Sequence, residues 1–249
     1  GAGGTAWGRM SIPRIHHDAP LAEGAEVALS PAQAHHIGTV LRRAVGAELR
    51  AFNAADGEFA ATLAALRKER GAMRLGPRLR APAPEPPLRL LLACLKREAM
   101  DWAVEKATEL GATRITPVLT RRCVATVANG ERLTAIARAA AEQCERLGVP
   151  AVDEARPLHA VLDAWQGGAL LVAAERAGAR PLHALLPAGA LLVGPEGGFE
   201  RAELDDLARR PFVTLASLGP RILRAETAAV AGLGALGFAL HAIEVEAST

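Results

Sequence analysis

The sequence predicts an α/β protein in two parts: a small β-barrel with one or two short helices, then a larger domain built on a parallel sheet. Three observations lead there. Four prolines crowd the seven residues Ala81–Pro87 (APAPEPP), which can continue neither a helix nor a central strand and so read as a stiff linker. Before this stretch the pattern is mostly strand and turn. After it, short apolar runs alternate with segments of helical period, as βαβ units do. The expected boundaries are 11–80 for the first domain, 81–87 for the linker and 88–249 for the second.

In the first domain, Glu26–Leu29 reads as a strand. Ser30-Pro31-Ala32-Gln33 then offers an N-cap serine, a proline at the first helical position and a capping-box glutamine. A short helix carrying His35 and His36 should follow. Successive helical side chains diverge by about 100°, so one histidine is expected to pack and the other to face outward. Ala47–Phe52 and Glu58–Leu66 flank the hairpin turn Ala55-Asp56-Gly57, and Met73–Arg80 is a further strand.

The second domain opens on Leu88–Leu95, an apolar run broken only by Arg89, of the kind a strand buried on both faces needs. Arg97–Leu110 is predicted helical, with Gly111 as its C-terminal glycine. Ile115–Leu119 is a strand. Within Glu131–Leu147, the residues Leu133, Ile136, Ala137, Ala140, Cys144 and Leu147 fall on one helical face. Ala169–Ala173, Ala190–Gly194 and Phe212–Leu215 are short strands, and a helix from about Ala225 to Ile243 closes the chain. Three glycines in that last helix, Gly232, Gly234 and Gly237, each cost about 1 kcal/mol relative to alanine. They imply that another backbone passes close by, within the fold or across a dimer interface.

Half of the 249 residues are hydrophobic but only 3% are aromatic, so the core must be built from Leu, Val and Ala. Cys94, Cys123 and Cys144 are odd in number and show no CxxC spacing, which argues against a disulfide framework or a zinc site and for a reducing, cytoplasmic setting. Residues 1–10 read as an upstream extension or expression remnant. No apolar stretch is expected to reach the length that spans a bilayer, so a soluble protein without a membrane partner is predicted. Residues 1–87 hold 11 basic against 8 acidic residues and residues 88–249 hold 18 against 19. A weakly basic first part permits nucleic-acid contact without requiring it.

Two loops carry the chemical signal. Gly194-Pro195-Glu196-Gly197-Gly198-Phe199 follows a strand end, where α/β sheets bind ligands and where glycines let a ligand approach the backbone. No Gly-Lys-Ser/Thr follows, and Glu196 stands where GxGxxG requires glycine, so a phosphate cradle is disfavoured. A tight Gly-Pro turn with Glu196 capping the next helix accounts for the loop alone equally well. The second loop, Leu218-Gly219-Pro220-Arg221-Ile222-Leu223-Arg224-Ala225-Glu226-Thr227, places Ile and Leu between two arginines, an arrangement that calls for an apolar ligand or a subunit to cover it.

Together these loops resemble the signature pair of the 16S rRNA (uracil-N3)-methyltransferases, a family of the trefoil-knot (SPOUT) class. Further segments share the resemblance: Pro13–His16, His36–Arg43, Lys106–Gly111, Arg121–Cys123 and Ala141–Arg146. It implies a PUA-like β-barrel domain, a knotted C-terminal α/β domain, a homodimer, S-adenosylmethionine as donor without a metal, and 16S rRNA in the small ribosomal subunit as partner. Gly194, Glu196, Gly197 and Gly198 would border the donor, and Leu218, Gly219, Ile222 and Leu223 would enclose its adenine. Arg14, Arg42, Arg43, Arg122, Arg146 and Arg221 become candidates for RNA contact, while Lys96, Lys106, Arg122, Gln143 and Arg146 stay open between phosphate contacts and structural ion pairs.

The chemistry gives the arginines a reason. N3 of uracil is protonated at neutral pH, and its anion spreads charge onto O2 and O4. A fixed guanidinium there is worth about 10²–10³ in rate. Arg224 is the first candidate, and Glu196 or Glu226 could accept the proton if burial raised its pKa. For Glu226 a favourable place at a helix N-terminus is the stronger reading. Three rivals are weaker. A ribose 2′-O-methyltransferase shares the knot but usually lacks the full second loop. A non-catalytic RNA-binding factor would not need both ligand loops. A small-molecule methyltransferase would leave the first domain without a task.

Overall fold

The structure, a computed structural model, describes residues 12–124, 128–174 and 178–247; the upstream extension lies outside them. The chain divides into two compact units, 1–84 with Glu145–Leu147, and 85–144 with 148–249.

The first unit contains β1 (Arg14–His16), β2 (Glu26–Leu29), α1 (Pro31–His35), β3 (Glu48–Asn53), β4 (Gly57–Arg67) and β5 (Arg70–Arg80). They form a five-stranded sheet in the order β1-β3-β4-β5-β2, curled into a half-barrel. β1 runs parallel to β3 and the other pairs are antiparallel. Ile15, Leu29, Leu49, Phe59, Leu63 and Met73 fill the concave side. The capping box forms: Ser30 Oγ accepts from the Gln33 N–H (3.2 Å) and Gln33 Oε1 accepts from the Ser30 N–H (3.0 Å). Gln33 Nε2 also donates to the His16 carbonyl, tying α1 to β1. A π-helical turn, His36–Val40, follows, and it overturns the expectation for the histidines: His35 and His36 are both exposed, because Ala34 and Ile37 take the inward positions.

The hairpin turn sits where the sequence places it. Asp56 accepts from the Leu21 N–H and from Asn53 Nδ2, both at 2.9 Å, bonds that hold its carboxyl below the ordinary value. Gly57 is required twice over. Its φ is +93°, and a Cβ there would lie 2.1 Å from the Arg80 carbonyl oxygen.

The second unit contains β6 (Arg89–Ala93), α2 (Arg97–Glu109), β7 (Arg114–Leu119), α3 (Gly130–Gln143), β8 (Ala151–Val152), β9 (Arg156–Pro157), α4 (Leu158–Asp163), β10 (Leu170–Ala173), β11 (Arg180–Pro181), β12 (Ala190–Val193), α5 (Arg201–Arg209), β13 (Val213–Ser217) and α6 (Ala225–Ala247). Among the described residues the sheet is eight-stranded and all its pairings are parallel, in the order β11-β13-β10-β12-β6-β7-β8 with β9 also on β7. β6 shows why the residues after Arg89 are all apolar. Leu90 and Leu92 pack with Met100 and Val104 of α2, Leu133 of α3 and Leu233 of α6, while Leu91 and Ala93 pack with Leu162 of α4 and Leu207 of α5. Gly111, at φ +91°, terminates α2, and the following Ala112 N–H donates to the Ala107 carbonyl (2.9 Å).

Two expectations need correction. α3 stops at Gln143, short of Leu147, and Glu145 takes the left-handed φ of +63°. More notably, Ala225–Ile243 is 19 residues long with mean hydropathy 1.4, so by length and composition a helix able to cross a membrane is present after all. The glycines and His241 that interrupt it do not lower its mean enough. Ala229, Leu233 and Leu236 bury one face of α6, whereas Phe238 stands 78% exposed. A Cβ at Gly232 would lie 2.4 Å from Leu191 Cδ2 and one at Gly237 3.1 Å from the Leu110 carbonyl, but Gly234 faces open space. Another backbone therefore comes close at Gly237 alone; at Gly232 the neighbour is a leucine side chain, and Gly234 has none.

Candidate active site

The two loops singled out in the sequence meet. β10, β12 and β13 are neighbours in the sheet, and the chain leaving their C-terminal ends surrounds a cavity of about 360 Å³. Ala173 and Ala174 come from the end of β10, Val193, Gly194, Gly197 and Gly198 from β12 and its loop, and Leu218, Ile222 and Leu223 from the loop after β13. Strand ends of parallel sheets are where such folds bind ligands, and the volume lies within the range of small-molecule sites.

Local geometry explains the glycines. A Cβ at Gly194 would meet the Phe199 ring at 2.8 Å, so Phe199 can line the cavity only if residue 194 has no side chain. Gly198 has φ +69° and closes a turn through its N–H to the Pro195 carbonyl (2.8 Å). Nothing crowds its Cβ position, so its requirement is conformational. Ile222 is 77% exposed beside the cavity, an apolar side chain with nothing over it.

Arg122 also lines the cavity and donates from Nη1 to the Gly197 carbonyl (3.0 Å). Its neighbour is fixed as well. Glu203 accepts from the Arg121 N–H through Oε1 and from the Glu200 N–H through Oε2, both at 2.9 Å. The segment after β7 is thus latched to the glycine loop and to the start of α5. Arg122 belongs to the architecture of this cavity, a role its sequence neighbourhood alone did not reveal.

The remaining candidates separate by availability. Glu196 is exposed and does not line the cavity; the residue at the N-cap of α5 is Glu200, so Glu196 is not the cap either. Gly219 has φ +121° and lies beside the cavity lining, its N–H donating to Ser217 Oγ. Arg221 and Arg224 flank the apolar pair with exposed side chains and no ion pair among the described residues, and Glu226 occupies the first turn of α6. Lys106 is a structural ion-pair residue, 2.7 Å from Glu105 and 2.8 Å from Glu109. Arg14 must be withdrawn from the RNA-contact set. It is 7% exposed, hydrogen-bonds Glu58 (3.2 Å) and the Arg146 carbonyl (2.9 Å), and lies 4.0 Å over the Phe52 ring. Arg42 is exposed at φ +51°, and Arg43 carries a buried Nε with no hydrogen-bond partner. Among the described residues no group of three metal-ligating side chains comes together.

A sheet-end cavity lined by a glycine loop and an apolar loop is a small-molecule site on a parallel α/β unit. Comparison with known proteins gives the class. The RNA methyltransferase domain profile matches residues 82–237, and the RNA methyltransferase PUA domain profile matches residues 29–71. The ribosomal RNA small subunit methyltransferase E of Rickettsia conorii is 36% identical over 90% of this chain and 94% of its own length. Among solved structures, a Legionella pneumophila methyltransferase in complex with the bound cofactor SAM superposes with TM-score 0.83 at 31% identity, covering 92% of this chain and 98% of that one. The methyltransferase E of Neisseria gonorrhoeae, bound to S-adenosylmethionine, gives 0.76 at 28% over the same shares. The chain belongs to the SPOUT-type RNA methyltransferase family that includes ribosomal RNA small subunit methyltransferase E.

Proposed function

We propose that this protein methylates N3 of a uridine in 16S rRNA of the small ribosomal subunit, with S-adenosylmethionine as donor. The observation that carries the reading is the cavity at the ends of β10, β12 and β13, where both signature loops supply lining. Its residues fit the donor. Leu218, Ile222 and Leu223 offer apolar enclosure for a purine, and the glycine loop, with no Cβ at 194, 197 or 198, leaves backbone groups open to polar ligand atoms. When bound, the donor supplies an electrophilic methyl group on a sulfonium.

The chain's own residues then have distinct tasks. Arg122 holds the glycine loop through the Gly197 carbonyl. Arg224, exposed between the lining residues Leu223 and Ala225 and without a carboxylate partner among the described residues, is read as the group that meets the charge developing on the uracil carbonyl oxygens. Arg221 is available to phosphate. Neither Glu196 nor Glu226 is assigned as the base: Glu196 is exposed and outside the cavity lining, and Glu226 sits in the first turn of α6.

The segment 11–80 is read as the RNA-binding domain, with Arg42 and Arg43 as its phosphate contacts, and 88–249 as the methyl-transfer domain. The exposed Phe238 and the apolar length of α6 support a homodimer through that helix. The unpaired cysteines fit a cytoplasmic enzyme. The deciding experiment is mass spectrometry of nucleosides from 16S RNA incubated with protein and donor. Appearance of 3-methyluridine supports the proposal. A methyl group on ribose, or none, refutes it.

A further inference from the structure

Along β7, from Arg114 at its N-terminal end to Arg156 of β9, which pairs with Val118, the second unit carries another groove, of about 390 Å³, that shares no lining residue with the donor cavity. Three arginines and one aromatic ring line it: Arg89 from the start of β6, Arg114 from the start of β7, Arg156 from β9, and Trp165 after α4. Trp165 stacks on Phe212, with centroids 6.1 Å apart and planes at 24°. The Arg89 guanidinium carbon lies 5.5 Å from the centre of the indole.

The cations in this groove are not equivalent. Arg114 forks onto Asp153 at 2.8 Å through both Nε and Nη2, and Asp153 also accepts from the Thr116 hydroxyl at 2.6 Å. Burial pushes the Asp153 carboxyl up, but the Arg114 and Thr116 hydrogen bonds outweigh it and keep the group anionic and paired. Arg89 and Arg156 have no ion pair among the described residues. Glu154 is the other carboxylate in the lining, and it is exposed. An indole beside two guanidinium groups that make no ion pair, one of them, Arg89, against the ring and acting on Asp153 only through its charge, is the combination that binds an unpaired nucleotide: arginine forks match phosphate oxygens, and bases stack on aromatic and guanidinium planes. A free inorganic anion would have no use for the ring.

We infer that this groove is a second contact for the RNA substrate, taking one unpaired nucleotide with its phosphate between Arg89 and Arg156 and its base against the Trp165–Arg89 platform. It rests on the proposed function for the identity of the RNA. Because the groove and the donor cavity share no lining residue, occupying one leaves the other open. The contact adds affinity and register, and takes no part in the transfer.

The test uses the full chain saturated with S-adenosylmethionine, in a Trp7→Phe/Trp102→Phe background that leaves Trp165 as the single indole emitter. Hexauridylate should quench Trp165 emission, and inorganic phosphate at the same concentration should not. In the Arg89→Gln/Arg156→Gln variant, hexauridylate affinity should fall about tenfold or more at low salt, and its log–log salt slope should flatten by about 1.4, two single-strand phosphate contacts. Donor affinity should stay within twofold, and the KM for 16S RNA should rise several-fold at unchanged kcat. Unchanged hexauridylate affinity and KM in the variant, or equal quenching by phosphate alone, overturns the inference. If the wild type binds hexauridylate as described but leaves 16S RNA unmethylated, the groove stands and the proposed function falls.

Discussion

Converting Glu58 to glutamine should loosen the first unit far more than any surface charge change. Its carboxylate is 1% exposed and receives three arginines: Arg14 at 3.2 Å, Arg50 at 3.3 Å and Arg80 at 3.1 Å. Arg50 and Arg80 are 37% and 45% exposed, so each pair contributes about 0–1 kcal/mol after solvent screening. The Arg14 side chain is 5% exposed, and removing the partner of a buried charge costs about 3–5 kcal/mol. The amide keeps one acceptor, and Arg14 keeps Phe52 and the Arg146 carbonyl, so the lower end, about 3 kcal/mol, is expected. The assay is native-state hydrogen exchange at the Ala61 and Leu63 amides of β4. Their opening free energy should drop by that amount in Glu58→Gln and by at most about 1 kcal/mol in Arg50→Gln.

The same network sets a pH dependence. Burial pushes the Glu58 carboxyl up, but the hydrogen bond and charge of Arg14, with Arg80 and Arg50 behind them, hold it below its ordinary 4.5. A depressed carboxylate pKa contributes stability that is present above the unfolded value and is lost as pH falls through the folded one. Protection of β4 should therefore weaken as pH drops below about 4.5, and Glu58→Gln should flatten that loss. Exchange in Glu58→Gln within about 0.5 kcal/mol of wild type, or a wild-type profile flat through this range, would refute the reasoning.

Four further outcomes are expected. Arg224→Ala should cut single-turnover methylation about 10²-fold or more while keeping most RNA affinity, and Arg224→Lys should rescue it poorly for want of a planar fork; a wild-type rate in Arg224→Ala would make the residue a structural clamp instead. Replacing Arg42 and Arg43 with glutamine should weaken RNA binding across sequences and flatten its salt slope by about one to two, with donor affinity untouched, as filter binding at several salt concentrations would show. Gly198→Val should abolish measurable donor binding by calorimetry, because a β-branched residue resists the φ of +69° that shapes the loop. Phe238→Glu should convert a dimer to a monomer in light scattering of the full chain, and an unchanged mass would remove α6 from the interface.

What the sequence made legible was what local chemistry decides. A run of six apolar residues, Leu90–Leu95, announces a strand covered on both faces, Ser30 and Gln33 announce a helix start, and Asp56-Gly57 announces a turn, because each signal is complete within a few residues. The elements that escaped are those without room for a period. β8, β9 and β11 have two residues each and α4 has six, all shorter than any window in which periodicity can be measured. Ala173 and Ala174 reach the cavity only because β10 lies between β12 and β13, an order set by the whole sheet. A knot is likewise a threading of the chain, so the expectation of one came from motif resemblance and not from hydrophobic pattern.

Charge shows the same limit most sharply. Counting residues 1–87 gives 11 basic against 8 acidic, and the count treats every arginine alike. In the folded unit three of the eleven converge on Glu58, one of them fully enclosed, and the network serves stability. In the second unit Lys106 and Arg114 are likewise paired with carboxylates, and Arg122 is held by a backbone carbonyl. The arginines without an ion pair among the described residues include Arg42, Arg89, Arg156, Arg221 and Arg224, and nothing in the sequence around Arg89 and Arg156 marks those two out. Whether a guanidinium can meet phosphate depends on which carboxylates fold toward it, often from distant positions: Glu58 lies 44 residues from Arg14, and Asp153 lies 39 from Arg114. The residues that can hold RNA are therefore defined by subtraction, after the fold has paired the rest.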